Sequence, residues 1–109
     1  MPDAEALLVL CTCPDQTSAD NISEQIITRH LAACVNIIPG IFSRYHWQGK
    51  VENDSEVLML IKTTRTAYDA LQGAILELHP YELPEVIAVP IDTGHSAYLD
   101  WITENTTRS

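Results

Sequence analysis

The side chains with chemical reach in this sequence are three cysteines, Cys11, Cys13 and Cys34, and four histidines, His30, His46, His79 and His95. Thiolate and imidazole hold copper, zinc and similar ions, whereas carboxylates add charge and suit harder cations. Cys11-Thr12-Cys13 puts two thiols on one side of an extended chain, although a structural metal site normally shows two such pairs. Cys11 with His79 is a conceivable nucleophile and base, yet no segment offers an oxyanion hole or a third group to orient the base. Gly40, Gly49, Gly73 and Gly94 stand apart, so there is no phosphate-cradling loop. The expectation is a protein that is not an enzyme.

Each donor also has a plain structural reading. Cys11 suits a small apolar position in a central strand, and Cys34, among Ala33, Val35 and Ile37, suits a core. His30 and His79 fall at helix ends, where imidazole complements the dipole. His46 reads as an exposed strand residue, and His95 as a cap on the last helix.

The elements that must position these groups follow from periodicity. Ala6 to Cys13 is almost wholly apolar, the pattern of a strand covered on both faces, and Pro14-Asp15 stops it. Thr17 or Ser18 reads as a helix cap, and Ala19, Ile22, Ile26 and Ile27 carry the helix to about Leu31. Ala33 to Ile38 returns to strand, bends at Pro39-Gly40 and resumes through Trp47. A polar stretch, residues 49–56, then forms the hairpin connection to a central strand over Val57 to Ile61. Tyr68, Leu71, Ile75 and Leu78 mark a second helix that ends near His79-Pro80. Pro84 to Ile91 is a fourth strand, and Ser96 caps a short terminal helix through Ile102, followed by a frayed tail. The order β-α-β-β-α-β-α predicts an α+β ferredoxin-like βαββαβ sandwich with an extra C-terminal helix.

The chain has 109 residues, 46% of them hydrophobic, and fits one domain over 1–109. A domain of this size buries roughly 60–70% of its unfolded surface, so association of copies is a live expectation. Strands one and three look apolar on both sides, and the helices cover only one side of the sheet. The long second strand, with Phe42, Tyr45 and Trp47, also needs a neighbour for its unpaired backbone. Fifteen Asp and Glu against six Lys and Arg give a formal charge of −9, a field that repels nucleic acid and anionic membrane and attracts cations. No apolar run approaches the ~20 residues of a membrane span. An acidic start and three sparse cysteines point to the cytoplasm.

Several blocks, in order, resemble the CutA divalent-cation tolerance family over nearly the whole chain. They are Leu10-Cys11-Thr12 with Pro14-Asp15, the run from Leu31 to Gly40 (LAACVNIIPG), and Tyr45 to Lys50 (YHWQGK). Met59 to Thr63 (MLIKT), His79-Pro80-Tyr81 with Pro84-Glu85, and Tyr98-Leu99-Asp100-Trp101 complete the match. The resemblance implies a homotrimer of ferredoxin-like subunits, built like the PII-type signalling proteins, with a role in tolerance to copper and other divalent metals. It also implies a copper(II) site at Cys11 and His79. The first histidine of the family's pair is replaced here by Leu78, and Glu85, across the turn from His79, is the candidate third ligand. Two other expectations stand beside this one. One is a signalling or scaffold trimer acting through the hairpin of Tyr45 and Trp47, and the other is a small-molecule sensor with its site between subunits.

Overall fold

The computed structural model describes residues 5–106. Its elements run β1 (Ala6–Cys13), α1 (Gln16–Thr28), β2 (Cys34–Trp47), β3 (Lys50–Thr64), α2 (Arg65–Leu78), β4 (Ile87–Pro90) and α3 (Ser96–Glu104). The strands form one antiparallel sheet in the order β2-β3-β1-β4. This is the ferredoxin-like sandwich that the periodicity predicts.

The period of two divides each inner strand between faces. Leu7, Val9, Cys11 and Cys13 of β1, with Val57, Met59 and Ile61 of β3, meet Ala19, Ile22 and Ile26 of α1 and Leu71, Ala74 and Ile75 of α2 in one core. Leu8, Leu10 and Thr12 face the other way, in register with Lys62, Leu60 and Leu58. On that side α3 packs on β1 and β3. Thr106 bonds Thr64 across 3.4 Å, and the Tyr98 hydroxyl lies against Cys34. The cover ends there: Ile38, Ile87 and Val89 are 40%, 53% and 48% exposed.

Helix ends are set by local chemistry, partly by residues other than those expected. Asp15, not Thr17 or Ser18, caps α1, its carboxylate accepting the Ser18 N–H at 2.8 Å. The helix closes earlier than Leu31 because His30 takes φ 59°, and the His30 and Leu31 amides fold back onto the Ile27 and Ile26 carbonyls. Thr64 caps α2 through the Ala67 N–H. Ser96 is the first residue of α3 rather than its cap; His95 holds the cap position without a side-chain bond. In the expected frayed tail, Thr106 is buried and hydrogen-bonded, and residues 107–109 lie outside the described residues.

The Asp15 cap has a pH signature. The Ser18 amide holds its carboxyl below the usual carboxylate range. A depressed folded-state value contributes stability above the unfolded pKa and loses it as pH falls through the folded one. Asp15→Asn keeps an acceptor oxygen but has no charge to lose. Thermal melts between about pH 6 and about pH 2 should therefore show a shallower acid slope for Asp15→Asn than for the parent. Parallel slopes would remove the cap from the acid response.

The hairpin is longer than the sequence suggests. The polar residues 50–56 are strand, paired from Trp47↔Lys50 to Ile41↔Glu56. Gln48 (φ 51°) and Gly49 (φ 80°) supply the two positive φ angles of a tight I′ turn. Pro39, which has no N–H, and Gly40 (φ 78°) form a bulge where the register shifts between Ile38 and Ile41. Strand β4 is shorter than expected: residues 84–86 are irregular, and only Ile87–Pro90 pairs with β1. No helix among the described residues is long and apolar enough to cross a membrane.

Candidate metal centre

Strand alternation places Cys11 and Cys13 side by side on the helix-facing side of β1, both fully buried. Where α2 ends, the chain turns and sets His79, 8% exposed, against the same strand end. One ligand atom from each of these three residues lies within 4.8 Å of the others. Donors bound to one ion at about 2.0–2.3 Å stand about 3.3–4.0 Å apart, so closing on an ion needs shifts of less than an ångström or so. Soft sulfur and borderline nitrogen fit copper, zinc or a similar ion.

His79 is also tied into the backbone. Its Nε2–H donates to the Thr12 carbonyl at 2.7 Å, and its Nδ1 accepts the Tyr81 N–H at 3.1 Å. A carbonyl only accepts and an amide N–H only donates, so the neutral Nε2–H tautomer is required. Ligation through Nδ1 displaces the Tyr81 amide and keeps the Thr12 bond, which then orients the ring. The Tyr81 ring packs beside His79, with centroids 4.8 Å apart.

The two thiols influence each other: the side-chain interaction with Cys13 and burial push the Cys11 thiol far up, while the interaction with Cys11 lowers the Cys13 thiol. A metal ion that binds both sulfurs displaces their protons, so binding here releases protons.

Across the strand lies a separate cleft of about 610 Å³, between the hairpin and the segment after α2. Thr12, Ser43, Tyr45, Trp47, Tyr81 and Glu85 are among its lining residues. Glu56, buried in its wall, accepts the Tyr81 hydroxyl at 2.6 Å; burial and that carboxylate push the Tyr81 hydroxyl up. Tyr45 donates to Asp54 and is pushed up to about 12 by that bond.

Among the expected ligands, Cys11 and His79 come together, and Cys13, not Glu85, completes the group of three. Glu85 lies on the cleft, although its charge reaches Cys11. Leu78 packs against the core and offers no donor. Cys34 stands apart with Asn36 and Tyr98, and His30, His46 and His95 are exposed. The sequence signal for Cys13 is the Cys-x-Cys spacing; nothing local predicts that His79 reaches the same face.

A ferredoxin-like sheet with two thiols and an imidazole gathered at one strand end defines a small α+β protein with a candidate site for soft metal ions. The chain belongs to the family described as CutA1 divalent ion tolerance protein, whose model matches residues 7–105. It is 48% identical over 99 residues to the divalent-cation tolerance protein CutA of Thermus thermophilus, covering 91% of this chain and 96% of that one. It is 47% identical over 95 residues to protein CutA of Homo sapiens, covering 87% of this chain and 53% of that protein. The crystal structure of CutA1 from Oryza sativa superposes with a TM-score of 0.94 at 41% identity, covering 100% of both chains. Divalent-cation tolerance is the role that the family and the Thermus relative are named for, and the ferredoxin-like fold is shared with the solved CutA1 structures.

Proposed function

We propose that this chain contributes to metal tolerance by binding copper(II) or a similar divalent ion directly, as a cytoplasmic homotrimer. The observation that carries the reading is the meeting of Cys11, Cys13 and His79 within 4.8 Å at one end of β1. Cys11 and His79 serve as ligands, and Glu85 is the oxygen donor that a divalent ion draws in from the cleft. Capture in a buried site lowers the free ion concentration. The acidic charge of −9 favours approach of cations. Free Cys11, Cys13 and Cys34 suit a reducing compartment.

The trimer is supported by the unfinished cover on the outer sheet face, since exposed Ile38, Ile87 and Val89 form an apolar area beyond the reach of α3. Calorimetric titration with copper(II) tests the metal reading. The parent should bind about one ion per chain, and Cys11→Ser and His79→Ala should each weaken binding by about 10–100-fold. Unchanged affinity in both variants rejects these ligands.

A second reading is a signalling or scaffold trimer that binds a small molecule. The cleft of about 610 Å³ with aromatic and carboxylate walls favours it, being within the size range of ligand pockets. Thermal-shift screening of metabolites separates it from the metal reading.

A further inference from the structure

The donor group distinguishes between classes of ion. We propose that Cys11, Cys13 and His79 form a site for a soft monovalent ion, copper(I), held by two thiolates and one imidazole. The proposal rests on the metal-binding reading above and narrows it to an oxidation state and a ligand set.

Donor type comes first. Two sulfurs in three donors favour copper(I) and zinc over harder divalent ions, and the gathering of three donors rather than four favours copper(I) over tetrahedral zinc. Surroundings come second. Both cysteines are fully buried in the apolar core, with Met59 and Val57 as their cross-strand partners. Among the described residues no carboxylate joins the group, so an ion that completes its shell with oxygen finds none without drawing Glu85 from the cleft.

The third observation is independent of the first two. Met59 is the cross-strand partner of Cys11, fully buried on the same face of the sheet. Directly opposed residues have Cβ atoms about 5 Å apart, so the Met59 thioether belongs to a side chain that starts beside Cys11. Thioether is a ligand for copper(I) and a poor one for divalent ions that prefer oxygen. Finally, Leu78 leaves the segment ahead of His79 without a donor, and Cys13 supplies from β1 what that segment lacks.

The test uses the whole protein, reduced and anaerobic, titrated with copper(I) against a chromogenic chelator and, in parallel, with zinc(II) and copper(II). The parent should take about one copper(I) per chain with a thiolate-to-metal ultraviolet band, and X-ray absorption should count at least two sulfurs around it. Cys13→Ala should weaken copper(I) at least about 100-fold, and by a larger factor than it weakens copper(II) or zinc(II). Glu85→Gln should do the reverse. Copper(I) affinity unchanged in Cys13→Ala, or a sulfur count below two on the unmutated protein, overturns the proposal; the sulfur count decides if Cys13→Ala fails to fold. Divalent binding without tight copper(I) binding removes this inference and leaves the proposed function standing. Failure of every ion removes both.

Discussion

In the proposed trimer, aspartate at both Ile87 and Val89 should separate the subunits, with a light-scattering mass falling to the 12.1 kDa of one polypeptide. These residues lie on β4 in register with Leu10 and Leu8, on the sheet face opposite α1 and α2. Helix α3 covers only the end of that face near Ala6 and Thr64, through Thr106. Fully burying a Val or Ile side chain is worth about 1.5–3 kcal/mol, and with each residue already about half buried in the single chain the two positions withdraw about 1.5–3 kcal/mol per chain before the cost of burying a carboxylate is added. Associations of three chains depend on this steeply, because every subunit carries the change. The core on the other face is untouched, and circular dichroism should still report a folded chain. A variant that keeps the parent mass would move the subunit contact off this face, with the protruding hairpin as the remaining surface.

His79→Ala should lower folding stability even with no metal present, by about 2–4 kcal/mol in urea unfolding. The imidazole joins two backbone groups that come from distant parts of the chain, the Thr12 carbonyl and the Tyr81 amide. Removing the ring leaves both short of a partner in a largely buried place and opens a cavity beside Cys11 and Cys13. The loss compounds, because Tyr81 in turn holds Glu56 through its hydroxyl. Tyr81→Phe is the useful comparison: it removes only the hydroxyl and should cost about 1–3 kcal/mol, by leaving the Glu56 carboxylate short of a donor. An unchanged midpoint for His79→Ala would assign the ring to metal binding alone.

The element order was legible because the inner strands are apolar on both faces and the two main helices keep a regular stripe. Residues 50–56 were misread for the opposite reason. They pair only with Ile41–Trp47, lie mostly exposed, and so bear no alternation that a core would impose. The Asp15 cap hid behind Pro14, since the pair reads equally well as a strand stop. Strand β4 lost residues 84–86 because hydrophobicity marks Val86 for burial without requiring that its backbone join a ladder. At the site, spacing alone put Cys11 and Cys13 on one face. That His79 arrives beside them depends on where α2 ends in space, which no local pattern records. Glu85 followed from its place across the turn from His79, and it lines the cleft with Thr12, on the other side of β1 from the thiols.

The bulge at Pro39 and Gly40 has a consequence for misassembly. Strand β2 is one of the two edge strands of the sheet, and such a margin is the sort of template on which stray polypeptide stacks into fibrils. The missing proline amide and the left-handed glycine break that margin into two short, differently aimed pieces. An amyloid front needs a straight run to copy, and here it meets a corner after a few rungs.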